Sequence, residues 1–86
     1  MALLYPDRGK WTMPLTLRPD HMETHAGQIS FPGGMDEQGE LPEQCAAREC
    51  EEELGVARDA MTFVGRLSPI YVFNSNFWVT PCIAVV

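Results

Sequence analysis

The sequence predicts a mixed α/β domain, and three observations carry that expectation. One segment, Pro42 to Gly55, has the composition and the boundaries of a single well-formed helix. Strand-like apolar runs stand on both sides of it at irregular spacing. The length, 86 residues of which 45% are hydrophobic, admits one small domain and no more.

The elements follow in order. Residues 2–5 and 10–17 are apolar-rich, and Asp7-Arg8-Gly9 between them reads as a hairpin turn. Arg18 to Ala26 is polar, contains Pro19, His21 and His25, and reads as a loop. Gln28 to Phe31 reads as a short strand stopped by Pro32-Gly33-Gly34, and Met35 to Glu40 as a further loop. Pro42 suits the first helical position, where its missing N–H has no partner to lose, and Glu43 complements the helix dipole. Good helix formers fill Glu43 to Leu54, and Gly55 suits the left-handed residue that ends a helix. At about 100° per residue, Ala46, Ala47, Cys50 and Leu54 share one side, while Glu49, Glu52 and Glu53 share another. The helix therefore has an apolar back and an acidic front.

Beyond it, Met61 to Leu67 reads as a strand and Ser68 to Asn76 as a loop, with turn chemistry at Asn74-Ser75-Asn76. Phe77 to Val86 reads as a strand interrupted by Pro81. Trp11, Phe63, Phe77 and Trp78 are expected in the core or at its edge, and Cys82 is expected to pack. A strand as apolar as Cys82-Ile83-Ala84-Val85-Val86 calls for a cover. Residues 1–86 thus read as a single, partial domain, with copies expected to associate through an exposed apolar C-terminal strand.

Composition narrows the function. The formal net charge of −6 argues against a nucleic acid polymer, which requires basic surface to displace counterions. It leaves room for a small phosphorylated ligand whose charge is met by a metal ion. No apolar run approaches the roughly 20 residues of a membrane span, so no membrane partner is expected. The opening Met1 to Pro6 lacks the basic flank and length of a signal peptide. Three cysteines, Cys45, Cys50 and Cys82, cannot form a full disulfide set, and none has zinc-site spacing. Reduced thiols and a cytoplasmic location are the expectation.

Five glutamates crowd into Glu43 to Glu53. Like charges three and four residues apart destabilise a helix by a few tenths of a kcal/mol per pair. Such a face is either an ordinary solvated surface or one that a divalent cation neutralises. Mg²⁺ and Mn²⁺ prefer hard oxygen ligands, and Mg²⁺ commonly combines few carboxylates with substrate phosphates. Gly33-Gly34, one loop upstream, gives backbone groups an open approach to a ligand or metal.

Taken together, the pattern is Gly34, five residues, Glu40, seven residues, then Arg48-Glu49-Cys50-Glu51-Glu52-Glu53-Leu54-Gly55-Val56. This resembles the 23-residue box of the Nudix hydrolases, here residues 34–56. Cys50 stands where the family usually has an aliphatic residue. The resemblance implies an α/β/α sandwich with a mixed sheet and the box helix on one face, truncated here on its C-terminal side. It implies Glu49 and Glu53 as main metal ligands, Glu52 as a further ligand or water-orienting group, and a backbone carbonyl of Gly33 or Gly34 beside them. These glutamates are then the catalytic residues, with Mg²⁺ or Mn²⁺ as cofactor. Glu40 and Arg48 are implied to be a structural ion pair, Glu51 to face solvent, and Gly55 with Val56 to end the helix and pin it to the sheet. Relatives often take another acidic residue from a loop after the box.

Upstream, Leu15-Thr16-Leu17-Arg18, Gly27 and the stretch His25 to Gly34 resemble the segment marking the coenzyme A diphosphatase branch. Pro19 and Glu23 depart from it, standing where that motif has serine and arginine. The implied activity is metal-dependent hydrolysis of a diphosphate bond in a nucleoside-diphosphate-linked small molecule, coenzyme A or a derivative first. ADP-ribose or a dinucleotide is the next substrate class, and a non-catalytic nucleotide-binding or regulatory module is the other reading. Arg18 and Gln28 are candidate substrate contacts, Arg18 equally a loop cap. His21 and His25 read as surface or hydrogen-bonding groups ahead of general bases. Tyr71 and Phe73 are minor candidates for base stacking.

Overall fold

The computed structural model describes residues 1–17, 27–73 and 76–86. Strand β1 (Ala2–Asp7) turns back into β2 (Lys10–Thr12) with Tyr5 opposite Thr12, Pro6 opposite Trp11 and Asp7 opposite Lys10. The link is the expected two-residue turn. Both Arg8 and Gly9 have positive φ, 51° and 76°, the conformation whose twist matches that of the flanking strands. The apolar run 10–17 does not continue as one strand. Pro14 has no N–H to give a ladder, and β3 (Thr16–Leu17) pairs instead with β4 (Ile29–Ser30) as a separate ribbon.

Helix α1 spans Pro42–Leu54. Leu41 is extended before the proline, and its N–H donates to Gln44 Oε1 at 2.8 Å, satisfying one donor at the helix start. Gly55 takes the left-handed conformation at φ 74° and its N–H closes on the Glu51 carbonyl at 2.8 Å. A single tighter turn, Arg58–Ala60, leads into β5 (Thr62–Arg66). The stretch expected to be loop contains a further strand, β6 (Ile70–Val72), paired antiparallel with β7 (Phe77–Val79). Its β-branched and aromatic residues find complementary partners across the turn, Tyr71 opposite Trp78 and Val72 opposite Phe77. Thr80-Pro81 separates β7 from β8 (Cys82–Val85), where the interruption was expected.

The main sheet runs β2-β1-β8-β5 and is mixed: β1 and β8 are parallel, β8 and β5 antiparallel with a bulge at Val64. This corrects the expectation of an exposed C-terminal strand. β8 lies inside the sheet with both edges paired, and Cys82 and Ala84 are buried. Leu3, Cys50 and Ala84 form the centre of the core, with Met1, Leu54, Val56 and Met61 packed around them. Helix and sheet thus meet through Cys50 on α1 and alternate residues of β1 and β8. On the helix, Ala46 and Cys50 are buried, Ala47 and Leu54 half-buried, and Cys45, which the apolar side of the periodicity did not include, is buried with them.

The large aromatics are a second correction. Trp11, Phe63, Phe77 and Trp78 are exposed, Trp78 by 71%, and none belongs to the core. The core where helix meets sheet is filled by Leu3 and by small side chains, Cys50 on α1 and Ala84 on β8. Trp78 instead rests its ring against Tyr71, centroids 5.3 Å apart, on the surface of the β6–β7 ribbon.

Candidate active site

The loop before α1 crosses the helix at its acidic front. Pro32 is fully buried and anchors the loop, so Gly33 and Gly34 are held against the helix surface. The Gly33 N–H donates to Glu53 Oε2 at 3.0 Å. One turn earlier, the Glu49 carboxylate lies in the space that a side chain on Gly34 would fill. Spacing by four residues puts both carboxylates on one ridge, and the glycine loop lies along it. A turn earlier still, Cys45 Sγ sits 3.6 Å from the Gly34 carbonyl oxygen.

Arg48 ties the whole loop down. Its Nε donates to Glu40 Oε2 at 2.7 Å and its Nη2 to Glu40 Oε1 at 3.1 Å, a two-pronged pair in the geometry that suits guanidinium and carboxylate. Nη2 also reaches the Met35 carbonyl at 3.1 Å, and Nη1 donates to Glu49 Oε1 at 2.8 Å. The guanidinium beside Glu40, helped by the Glu37 N–H, pulls the Glu40 carboxyl down to about 2. Glu40 in turn drives Arg48 further up, so the pair is ionised throughout the neutral range.

The acidic face is therefore split. Glu49 and Glu53 converge on the glycine loop, whereas the Glu52 side chain is 58% exposed and lies 3.5 Å from Arg48. Glu51, expected to face solvent freely, is engaged: its carboxylate accepts the Arg58 N–H at 2.9 Å and Arg58 Nε at 3.2 Å, clasping the turn after the helix. Gln28 is exposed just before β4. Arg18, Pro19, His21, Glu23 and His25 lie outside the described residues. Besides the Glu51–Arg58 clasp and the Arg48 bond to Met35, two contacts at the glycine loop and its carboxylates escaped the sequence reading, the Cys45 thiol on Gly34 and the Arg48 bond to Glu49. The first was detectable as the residue four positions before Glu49. The second joins neighbours in sequence whose side chains helical spacing does not bring together.

Among the described residues, no group of three or more Asp, Glu, His or Cys is gathered closely enough to hold an ion alone. What is gathered is two carboxylates and the backbone of a glycine pair whose missing side chain leaves the Glu49 carboxylate in place. That hard-oxygen set fits Mg²⁺, which takes one or two carboxylates and completes its shell with water and substrate phosphates. It does not fit a soft or four-coordinate thiolate site. The three thiols are buried, and burial pushes each of them up, away from the thiolate.

A mixed sheet carrying one helix, whose carboxylate ridge is crossed by a glycine loop and braced by an arginine, defines a class of α/β domain suited to a divalent cation and phosphate oxygens. The model of the NUDIX domain matches residues 1–85, and the chain belongs to that family. It is 42% identical over 76 residues to the Nudix hydrolase NudL of Yersinia enterocolitica, covering 87% of this chain and 38% of that one. It is 38% identical over 78 residues to NudL of Yersinia pestis, with the same coverage. The chain thus spans 38% of the length of these curated relatives. In fold it resembles the crystal structure of a Nudix hydrolase from M. smegmatis, RenU, with a TM-score of 0.76 at 23% identity, over 98% of this chain and 56% of that one.

Proposed function

We propose that this chain carries the metal-binding centre of a Nudix pyrophosphohydrolase, one that hydrolyses the diphosphate bond of a nucleoside-diphosphate-linked small molecule. The convergence of Glu49 and Glu53 on the Gly33-Gly34 loop is the observation that supports it. Glu49, Glu53 and a carbonyl of the loop would hold Mg²⁺ or Mn²⁺, with Glu52 at the margin as a further ligand or an orienting group for water. Bound there, such an ion would supply positive charge near the diphosphate and favour ionisation of an attacking water. Hydrolysis would join the water oxygen to one phosphorus as the bridging P–O bond breaks, the second phosphate leaving with the electron pair and the water's proton passing to solvent. Arg48 keeps Glu49 aimed and Glu40 keeps Arg48 aimed, so the carboxylates are in place before substrate arrives.

Coenzyme A or a derivative is the leading substrate, on the likeness of His25 to Gly34 to that branch, and Gln28 and Arg18 are its candidate contacts. Buried free thiols suit a reducing compartment, hence the cytoplasm. Among the described residues no helix is long and apolar enough to cross a membrane. Whether copies associate is a separate question, answered by sedimentation of the purified chain.

The test is incubation with Mg²⁺ and coenzyme A, ADP-ribose, NADH or a diadenosine polyphosphate, products being followed by mass spectrometry with Glu53→Gln as control. Cleavage of coenzyme A to 3′-phospho-AMP and 4′-phosphopantetheine, absent in the control, is the expected result. Cleavage of another member of the panel keeps the chemistry and removes the coenzyme A assignment. No cleavage anywhere, in a chain that still binds the ligands, makes it a binding module or a piece whose turnover needs more of its protein.

A further inference from the structure

The proposed chemistry has no use for Cys45, yet its position is specific. Cys45, Glu49 and Glu53 are spaced by four residues and form a single ridge of α1, and each meets the same two-residue loop. The Cys45 side chain is buried, with only 6% of the residue exposed. Its sulfur lies 3.6 Å from the Gly34 carbonyl oxygen, and Arg48 Nη2 lies 3.8 Å from the sulfur. The Cα of Gly34 faces the Glu49 carboxylate. Gly34 is therefore contacted from two consecutive turns of the helix.

We propose that Cys45 is a positioning residue, its thiol donating to the Gly34 carbonyl oxygen and so fixing the orientation of that peptide beside Glu49 and Glu53. This rests on the reading above, in which the two carboxylates and the loop backbone hold a divalent cation. Glycine lacks the Cβ that restricts rotation of its flanking peptides, so a Gly-Gly loop turns its carbonyls readily unless something outside the loop holds them. Glu53 holds the Gly33 N–H and Arg48 the Met35 carbonyl, and the thiol is the hold on the Gly34 carbonyl between them. An S–H group is a weak donor, so its effect falls on the direction of a mobile peptide more than on the stability of the fold.

Threonine and valine have the same outline and differ by a hydroxyl donor in place of a methyl group. Cys45→Thr and Cys45→Val are therefore compared in the full chain, with Mn²⁺ affinity read from the free-ion electron paramagnetic resonance signal and folding from the thermal midpoint. Cys45→Thr is expected to bind Mn²⁺ within about twofold of the parent. Cys45→Val is expected to bind about three- to fivefold more weakly, the loss that one weak hydrogen bond explains, although its midpoint equals or exceeds that of the threonine variant. Equal affinity in the two variants overturns the proposal, as does affinity that simply follows the midpoint, because either result makes Cys45 a packing residue. If β-branching at this site prevents folding, Cys45→Ala is measured instead. Weaker Mn²⁺ binding at an unchanged midpoint supports the proposal, and unchanged binding overturns it. A parent chain that binds no Mn²⁺ overturns the functional reading and this inference with it, a result distinct from all the others.

Discussion

The Glu49 carboxylate occupies the space where a side chain on residue 34 would begin. A Cβ built on Gly34 lies 2.6 Å from the Glu49 carboxyl carbon and 2.8 and 2.9 Å from its two oxygens. The obstacle is the far end of a flexible side chain, so Gly34→Ala has a cheap escape: Glu49 swings away. The variant is expected to fold with a thermal midpoint within a few degrees of the parent while losing most of its Mn²⁺ affinity and diphosphatase activity. Isothermal titration with Mn²⁺ beside a melting curve checks this. Full affinity in Gly34→Ala would show that the Glu49–Gly34 contact is incidental.

The three front glutamates are not equivalent. Glu49 and Glu53 meet the loop, and Glu52 stands largely in solvent. Replacement of either inner glutamate by glutamine is expected to reduce kcat by about 10²-fold or more, the size of effect seen when a preorganised electrostatic group is removed. Glu52→Gln is expected to cost clearly less. Steady-state kinetics on the three variants decide the order, and a Glu52 effect equal to the other two would contradict it.

Acid sensitivity is expected to trace to Glu40. Its folded-state pKa is lowered from 4.5 to about 2, chiefly by the hydrogen bonds from Arg48. A carboxyl with a depressed folded-state pKa contributes its full stabilisation above its unfolded value, and that contribution disappears as pH falls through the folded value. The thermal midpoint of the parent should therefore exceed that of Glu40→Gln at neutral pH. The difference should shrink steadily between pH 4.5 and about 2. Melting curves of both proteins across that range test it, and a gap that does not narrow on acidification would place the effect elsewhere.

Leu3 is 1% exposed and packs with Cys50 and Ala84, where the helix meets the sheet. Truncation to alanine leaves a cavity between elements that small residues already hold close, so Leu3→Ala is expected to lose about 2–5 kcal/mol. Urea unfolding measures it. A loss under about 1 kcal/mol would mean that the layers close over the space. In a domain this small, a loss at the upper end is a large share of its stability.

Local features were legible because local chemistry decides them. Arg8-Gly9 turns the first hairpin since its backbone conformation suits that twist, and Pro42 and Gly55 bound the helix since each fits one end of it and not the interior. The box spacing marked Glu40, Arg48, Glu49, Glu53 and the glycine pair, and the structure brings these together. β6 was not legible: Ile70-Tyr71-Val72 is short and follows Ser68-Pro69, and only pairing with Phe77-Trp78-Val79 makes it a strand. Nor was the surface position of Trp11 and Trp78, because ring size argues for burial wherever space exists.

By itself, then, the sequence determined the helix, its acidic front, the turn that opens the chain and the family to which it belongs. Tertiary structure alone decided that β8 lies between β1 and β5, and which atoms meet at the glycine loop: the Gly33 N–H on Glu53, the Glu49 carboxylate beside Gly34, and Glu52 left largely in solvent. It also decided that Cys45 touches Gly34. The reason is common to all of these. Periodicity gives the direction in which a side chain leaves its own helix or strand, but what stands in that direction is set by segments distant in the chain.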